Sequence, residues 1–234
     1  MTQSNRTRGA VALAALLAVG CIGRTERRRG PGTREVAVEH YQRALEHLEK
    51  QDIDRAIVAV RRAIDTDPTK AVYHRLYGNL LAQKGRFVEA EMEYRLAVTR
   101  DPYDDESWEG LVQVVRKQGQ RERVPVVIRE RVRVDPLDPE WRLRLGLAYE
   151  EVGDLILAER ELRAAANLAE GKRAAYAHAR LGIVYEALGK TAAALREYRE
   201  SLKLDPDQVQ VKRFVERLQR RLSTSKPPAA GSAE

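Results

Sequence analysis

The sequence predicts an all-α solenoid of five helix-turn-helix units, followed by a C-terminal capping helix. Asp-Pro pairs at 67–68, 101–102 and 135–136 recur every 34 residues, and the pair at 205–206 follows after 70, which is two periods plus two residues. Each period holds two apolar-periodic stretches of helix length. A short polar break separates the two stretches, with glycine at one fixed point in four units, namely Gly85, Gly119, Gly153 and Gly189. A fixed period of this size indicates a repeat array.

The five units differ in detail. They cover residues 37–70, 71–104, 105–138, 139–174 and 175–206. In the third unit, Val124 and Arg131 stand where the other units have small residues, and Pro125 lies near the start of the second stretch. Proline is tolerated only in the first turn of a helix. In the fourth unit Glu170 replaces the closing proline, and two residues are inserted near 171–173.

Small residues recur at two fixed positions of the unit and predict close helix packing. In the first helix they are Gly78, Gly146 and Gly182, with Ala44, and in the second helix they are Ala56, Ala90, Ala158 and Ala194. A minimal side chain lets two helix backbones approach closely. Large residues follow the alanines at i+4, namely Tyr94, Leu162 and Tyr198, and are expected to fill the neighbouring layers.

The pattern resembles the tetratricopeptide repeat family over roughly residues 37–206. The resemblance rests on these small residues, the closing prolines, the Leu-Gly pairs at 145–146 and 181–182, and the aromatic residues Tyr149 and Tyr185. It implies a right-handed α-solenoid whose first helices line a concave groove. It also implies that the ligand is a protein or a peptide.

The resemblance assigns the groove residues position by position. They are Tyr41, Leu45, Arg75, Asn79, Gln83, Glu109, Gln113, Arg116, Lys117, Arg144, Leu147, Glu150 and Ile183. The middle of this set is polar and its ends are apolar. Such a surface suits an amphipathic helix or an extended peptide that is held by a few anchor residues.

Two segments follow the repeats. Residues 207–222 predict one amphipathic helix with an inward stripe of Val209, Val211, Phe214, Val215 and Leu218. A terminal repeat needs a polar-faced cap, which explains this helix. Its basic outer face leaves a membrane-surface helix open as an alternative. Residues 223–234 have no apolar period and predict a disordered tail.

The N-terminus has the layout of a secretory signal peptide over residues 1–20. Arg6 and Arg8 precede an apolar run over residues 10–19, which is too short to cross a bilayer. The run leads to Gly20 and Cys21, the only cysteine of the chain. This junction resembles the lipobox of bacterial lipoproteins, which implies that Cys21 is acylated and anchors the protein to a membrane. An ordinary signal peptide or an uncleaved anchor with a chance cysteine is the alternative.

Residues 21–36 predict a flexible tether rich in arginine and glycine. The resemblance to bacterial lipoproteins also implies a location: in enteric bacteria an aspartate after the cysteine favours the inner membrane, and with Ile22 in its place we expect a protein anchored in the outer membrane that faces the periplasm. The net charge is +7, but the two signal arginines contribute +2 and residues 24–34 contribute +4, which leaves about +1 for the rest. The array therefore has no bulk basic footprint, and we expect no nucleic-acid partner.

Nothing in the sequence predicts an enzyme, a cofactor or a small-molecule substrate. There is no glycine-rich phosphate loop and no nucleophile elbow. His40 and His47 are seven residues apart and are accompanied by Glu39 and Glu46, but neither a cysteine nor a further nearby histidine completes the three or four convergent ligands that a zinc site needs. No metal site is therefore expected.

The sequence thus predicts a lipid-anchored periplasmic scaffold that binds a protein partner and supports assembly of a cell-envelope complex. A pilotin-like lipoprotein for secretin or type IV pilus assembly is one alternative, because such pilotins combine a lipobox with these repeats. An adaptor that recruits a separate envelope enzyme is another. No residue here is specific to either alternative.

Overall fold

The computed structural model describes residues 32–224 and consists of helices joined by short turns. The signal peptide, Cys21, the tether up to residue 31 and the tail from residue 225 lie outside the described residues. The α-helices of the described part are α1 Thr33–Glu49, α2 Ile53–Thr66, α3 Ala71–Gln83, α4 Phe87–Arg100, α5 Asp105–Lys117, α6 Val124–Val134, α7 Pro139–Glu151, α8 Leu155–Leu168, α9 Gly171–Ala187, α10 Thr191–Leu204 and α11 Val209–Thr224.

Each unit is an antiparallel pair of consecutive helices, and each pair packs on the next along the chain. The turn inside a pair needs a left-handed residue, which glycine supplies without steric cost. The four predicted glycines have φ between +73° and +82°, and Gln51 adopts φ +58° at the same point of the first unit. The predicted break is therefore confirmed in all five units.

The predicted small residues lie where large side chains of the partner helix need room. A Cβ atom built on Gly146 would lie 2.6 Å from Cγ of Leu162, and one built on Gly182 would lie 2.5 Å from Cε1 of Tyr198. Both large side chains are fully buried. The first helix of a unit therefore has glycine at this point because the second helix already occupies the space.

The helix ends depart from the predicted boundaries in two places. Helix α1 begins at Thr33, inside the predicted tether, because the Glu35 carboxylate accepts the Gly32 backbone N–H at 2.8 Å and caps the helix. Helix α9 begins at Gly171, so the inserted residues lengthen the first helix of the fifth unit. With Glu170 in place of proline, the chain enters this helix four residues before Ala175.

Helix α11 closes the array as predicted, with two changes. Val211 and Leu218 are buried, and the ring of Phe214 packs 5.3 Å from that of Tyr198 in α10. Val209 is 60% exposed and does not join the inward stripe, because it is the first residue of the helix. The helix continues to Thr224, two residues into the predicted tail.

Candidate peptide-binding groove

The first helices of the units form the inner side of the solenoid. Helix α3 approaches α5 directly, and α7 approaches α9, although a second helix lies between them in sequence. First helices that approach one another in this way lie on the tighter, concave side of the curve. The predicted groove residues belong to these helices.

From α3 onward, ion pairs connect each inner helix to the next one, ending at α11. They are Arg75–Glu106 at 2.9 Å, Arg144–Glu109 at 2.8 Å, Arg116–Glu151 at 2.9 Å, Arg180–Glu150 at 2.6 Å and Arg217–Glu186 at 2.6 Å. Partly exposed pairs of this kind contribute up to about 1 kcal/mol each to stability. Their main effect here is to hold the polar side chains of the groove in fixed positions and to neutralise its charge locally.

A cleft of about 190 Å³ opens in this surface between α5, α6 and α7. Its lining combines five predicted groove residues with three apolar ones: Glu109, Gln113, Arg116, Arg144 and Leu147, and Val112, Ile128 and Trp141. The last three are almost fully buried and form the floor. The cleft thus has an apolar floor and a polar rim, which is the usual composition of a ligand pocket.

Arg144 closes one side of the cleft. Its guanidinium lies 4.8 Å from the centre of the Trp141 ring and bonds Glu140 and Glu109. Burial lowers the pKa of Arg144, but the hydrogen bond to Glu140 and the charge of Glu109 outweigh burial, so the pKa lies above its ordinary value. The side chain is therefore charged and held against the tryptophan face.

The cleft lies beside the third unit, which lacks small residues at three positions where its own two helices face each other. Val112, Val124 and Arg131 occupy the three positions where other units have glycine, alanine or, in one case, serine. Helices α5 and α6 consequently make fewer close contacts than the two helices of any other unit. Pro125 lies in the first turn of α6, as predicted, after a short 3₁₀ turn at Arg121–Arg123.

The buried Arg131 keeps the separated helices in place. Its Nε donates to Asp105 at 2.8 Å, and Nη2 donates to Asp138 at 3.3 Å. Trp141 Nε1 donates to the same Asp105 oxygen at 2.9 Å, and the guanidinium lies 5.5 Å from the Trp141 ring centre. This network positions the tryptophan that forms the floor of the cleft.

Comparisons with known proteins agree with this architecture. Sequence models of the tetratricopeptide repeat match residues 41–105 and 175–208. The chain is a tetratricopeptide-repeat protein. No curated protein matches the sequence.

Solved structures of other tetratricopeptide-repeat proteins share the fold, which confirms the predicted right-handed α-solenoid. YrrB, described as a TPR protein with an unusual peptide-binding site, is 19% identical with a TM-score of 0.57, over 79% of this chain and 92% of YrrB. MamA from Desulfovibrio magneticus RS-1 is 18% identical with a TM-score of 0.55, over 75% of this chain and 98% of its own. A TPR repeats protein from Bacteroides fragilis is 13% identical with a TM-score of 0.54. That match covers 79% of this chain and 98% of the Bacteroides protein.

The other predicted groove residues of this tetratricopeptide-repeat array lie outside the cleft. Asn79 is exposed, but its Oδ1 accepts the Tyr94 hydroxyl at 2.6 Å, so it also supports the packing of α4. Tyr41 is half-buried and packs 4.9 Å from the ring of Tyr73, while Leu45 is partly exposed. Ile183 packs against the core.

The remaining predicted residues divide between the helix ends and a second depression. Gln83 and Lys117 are exposed at the last residues of α3 and α5 and do not line the cleft. Leu147 and Glu150 line a shallow, open depression next to the cleft, together with Tyr176 and Arg180.

The apolar floor of the cleft was not predicted from the sequence. Val112, Ile128 and Trp141 occupy positions that normally point into the array. The sequence does show that the third unit has lost small residues. This loss indicates a gap between helices but does not tell which side chains line the gap. Within residues 32–224, no helix is long and apolar enough to cross a membrane, and no cluster of His, Cys, Asp and Glu is arranged to hold a metal ion.

Proposed function

We propose that this protein is a lipid-anchored, periplasm-facing scaffold that holds an extended peptide segment of a partner in its concave groove and supports assembly of a cell-envelope complex. The cleft between α5, α6 and α7 carries the proposal. It offers the partner one buried apolar site in the middle of the groove, where the surrounding side chains are mostly polar and charge-paired.

The dimensions and chemistry of the cleft favour one apolar side chain of a peptide. Its volume of about 190 Å³ is below the range of about 300–1,000 Å³ that is typical of pockets for drug-sized ligands. Trp141 and Ile128 supply apolar contact, and the Gln113 amide, exposed at the rim, can pair with a peptide backbone. A peptide ligand also agrees with the description of YrrB as having a peptide-binding site.

The membrane attachment is proposed from the sequence alone. A signal peptide over residues 1–20 followed by Cys21 supports acylation of the cysteine, and several acyl chains together anchor a protein stably. Mass spectrometry of the mature protein should find an acylated Cys21 as the first residue. A mature protein that starts elsewhere and carries no lipid would contradict the anchor without affecting the groove.

A paired capture experiment tests the groove. Gln113→Ala with Leu147→Ala removes a rim amide and an apolar contact of the cleft, whereas Gln210→Ala with Leu204→Ala makes the same changes on exposed residues of α11 and α10. Crosslinking pull-down from solubilised envelopes should recover less partner with the first variant and an unchanged amount with the second. Circular dichroism should show that both variants stay folded.

Asn79→Ala is unsuitable for this test because it also removes the acceptor of the Tyr94 hydroxyl. Equal recovery with both paired variants would contradict the groove as the binding site and would direct the search to the convex face.

A further inference from the structure

A second cleft, which the groove does not use, lies between α1 and α2, in the first unit of the array. Its volume is about 270 Å³, and its lining is basic: His40, Arg43, His47, Arg55 and Arg62, with Val58 and Ala59. None of the described residues that line it is a carboxylate. We call this surface the end cleft.

The end cleft is basic because the first unit lacks an acidic residue that three other units have. In those units a basic residue of the first helix pairs with a glutamate nineteen positions later, as in His74–Glu93 at 2.7 Å, Arg142–Glu161 at 2.8 Å and His178–Glu197 at 2.8 Å. The equivalent pair in the first unit is His40 and Ala59. His40 therefore lacks the carboxylate that pairs with the equivalent residue in the three other units.

The positive side chains of the end cleft are only partly neutralised by neighbours. Arg43 pairs with Glu39 at 2.5 Å, and Arg55 lies 3.4 Å from Asp52, with 75% of its own side chain exposed. The side chains of Arg62, His40 and His47 form no hydrogen bond or ion pair with the described part of the chain. Arg62 is thus the arginine of the cleft that has no partner among the described residues, and Arg55 keeps most of its side chain exposed.

We infer that the end cleft binds the phosphate groups of anionic phospholipids and so lays this end of the array against a membrane surface. The arginine guanidinium matches phosphate geometry through paired N–H donors, and several arginines within one cleft can share the same headgroup. Arg43, Arg55 and Arg62 are exposed side chains of this cleft and can meet a planar partner together.

The sequence next to the end cleft favours a lipid surface over an acidic protein. Residues 24–34 hold five arginines and one glutamate and lead directly into α1 at Thr33. Basic segments beside a membrane attract anionic lipids, each arginine strengthening the partition by about fivefold. The inference depends neither on acylation of Cys21 nor on the peptide groove.

Vesicle binding tests the inference with the full 234-residue chain carrying Cys21→Ser, so that no acyl chain contributes. Arg55→Gln with Arg62→Gln removes two charges from the end cleft. Arg196→Gln with Arg199→Gln removes two charges from exposed positions of α10 at the other end of the array. Partition is measured by co-sedimentation with vesicles of phosphatidylcholine alone or mixed with phosphatidylglycerol.

The end-cleft variant should lose roughly 30-fold in partition to the phosphatidylglycerol vesicles, about fivefold for each arginine, and the α10 variant should lose less than about fivefold. Equal losses would show a diffuse charge effect and overturn the inference. Binding to poly-glutamate that the end-cleft variant loses, with unchanged vesicle binding, would assign the cleft to an acidic protein. Calorimetric binding of inorganic phosphate without vesicle binding would assign it to a free anion.

Discussion

Gly146 offers the sharpest test of how the units are packed. A Cβ atom at this position would lie 2.6 Å from Cγ of Leu162, 2.8 Å from its Cδ2 and 3.1 Å from its backbone nitrogen. Cγ is a branch point close to the backbone, and Leu162 is fully buried, so the leucine cannot swing aside. Overpacking costs about 1–3 kcal/mol. The gain from alanine over glycine inside a helix is about 1 kcal/mol.

Because the contacts are far below van der Waals separation, the upper part of that range applies, and Gly146→Ala should lower the free energy of unfolding by about 1–2 kcal/mol. The assay is chemical denaturation followed by far-UV circular dichroism. A Leu162→Ala background removes the two closest contacts, to Cγ and Cδ2, and there the same substitution should change stability by less than about 1 kcal/mol. Equal losses in the two backgrounds, or a stabilised single variant, would refute the packing argument.

Two further predictions concern buried polar groups. Burial raises the pKa of Tyr94 to about 12 from its usual 10, so the folded state keeps a proton that the unfolded state loses between about pH 10 and 12. Stability should fall across this window by about 1.4 kcal/mol per pH unit from this residue, and Tyr94→Phe should remove that share of the slope in denaturation experiments. Arg131→Met should lower the free energy of unfolding by about 1–3 kcal/mol, because Asp105 and Asp138 lose a charged donor while the side-chain length is kept. An unchanged denaturation midpoint would contradict that role.

The repeat pattern predicted the parts of the fold that local chemistry determines. The left-handed residue in each break, the glycine facing Leu162 and the position of Pro125 in a first turn all follow from single residues and their steric limits. The helix starts at Thr33 and Gly171 were not predicted. The first depends on a helix cap and the second on the absence of a proline, and hydrophobic periodicity reflects neither feature.

The candidate groove was predicted only in outline. Position along the repeat identified Gln113, Arg144 and Leu147, which line the cleft. The floor depends on three separate substitutions in one unit together with Trp141 from the next. Such a gap arises from the spacing between helices, which no single segment of sequence encodes. The pairing of charged groups likewise depends on contacts between helices. Arg144 bonds Glu109 of the neighbouring unit and Glu140 of its own, whereas the Arg62 side chain has no partner among the described residues.

The central claim is that the partner binds the concave face at the third unit, and site-specific photo-crosslinking tests it most directly. A photoreactive amino acid replaces Gln113 at the rim of the cleft in one variant and Ile156, which is 64% exposed on α8, in the other. Crosslinking in intact cells should join the partner to the Gln113 variant and leave the Ile156 variant free. Crosslinks from Ile156 with none from Gln113 would contradict the account.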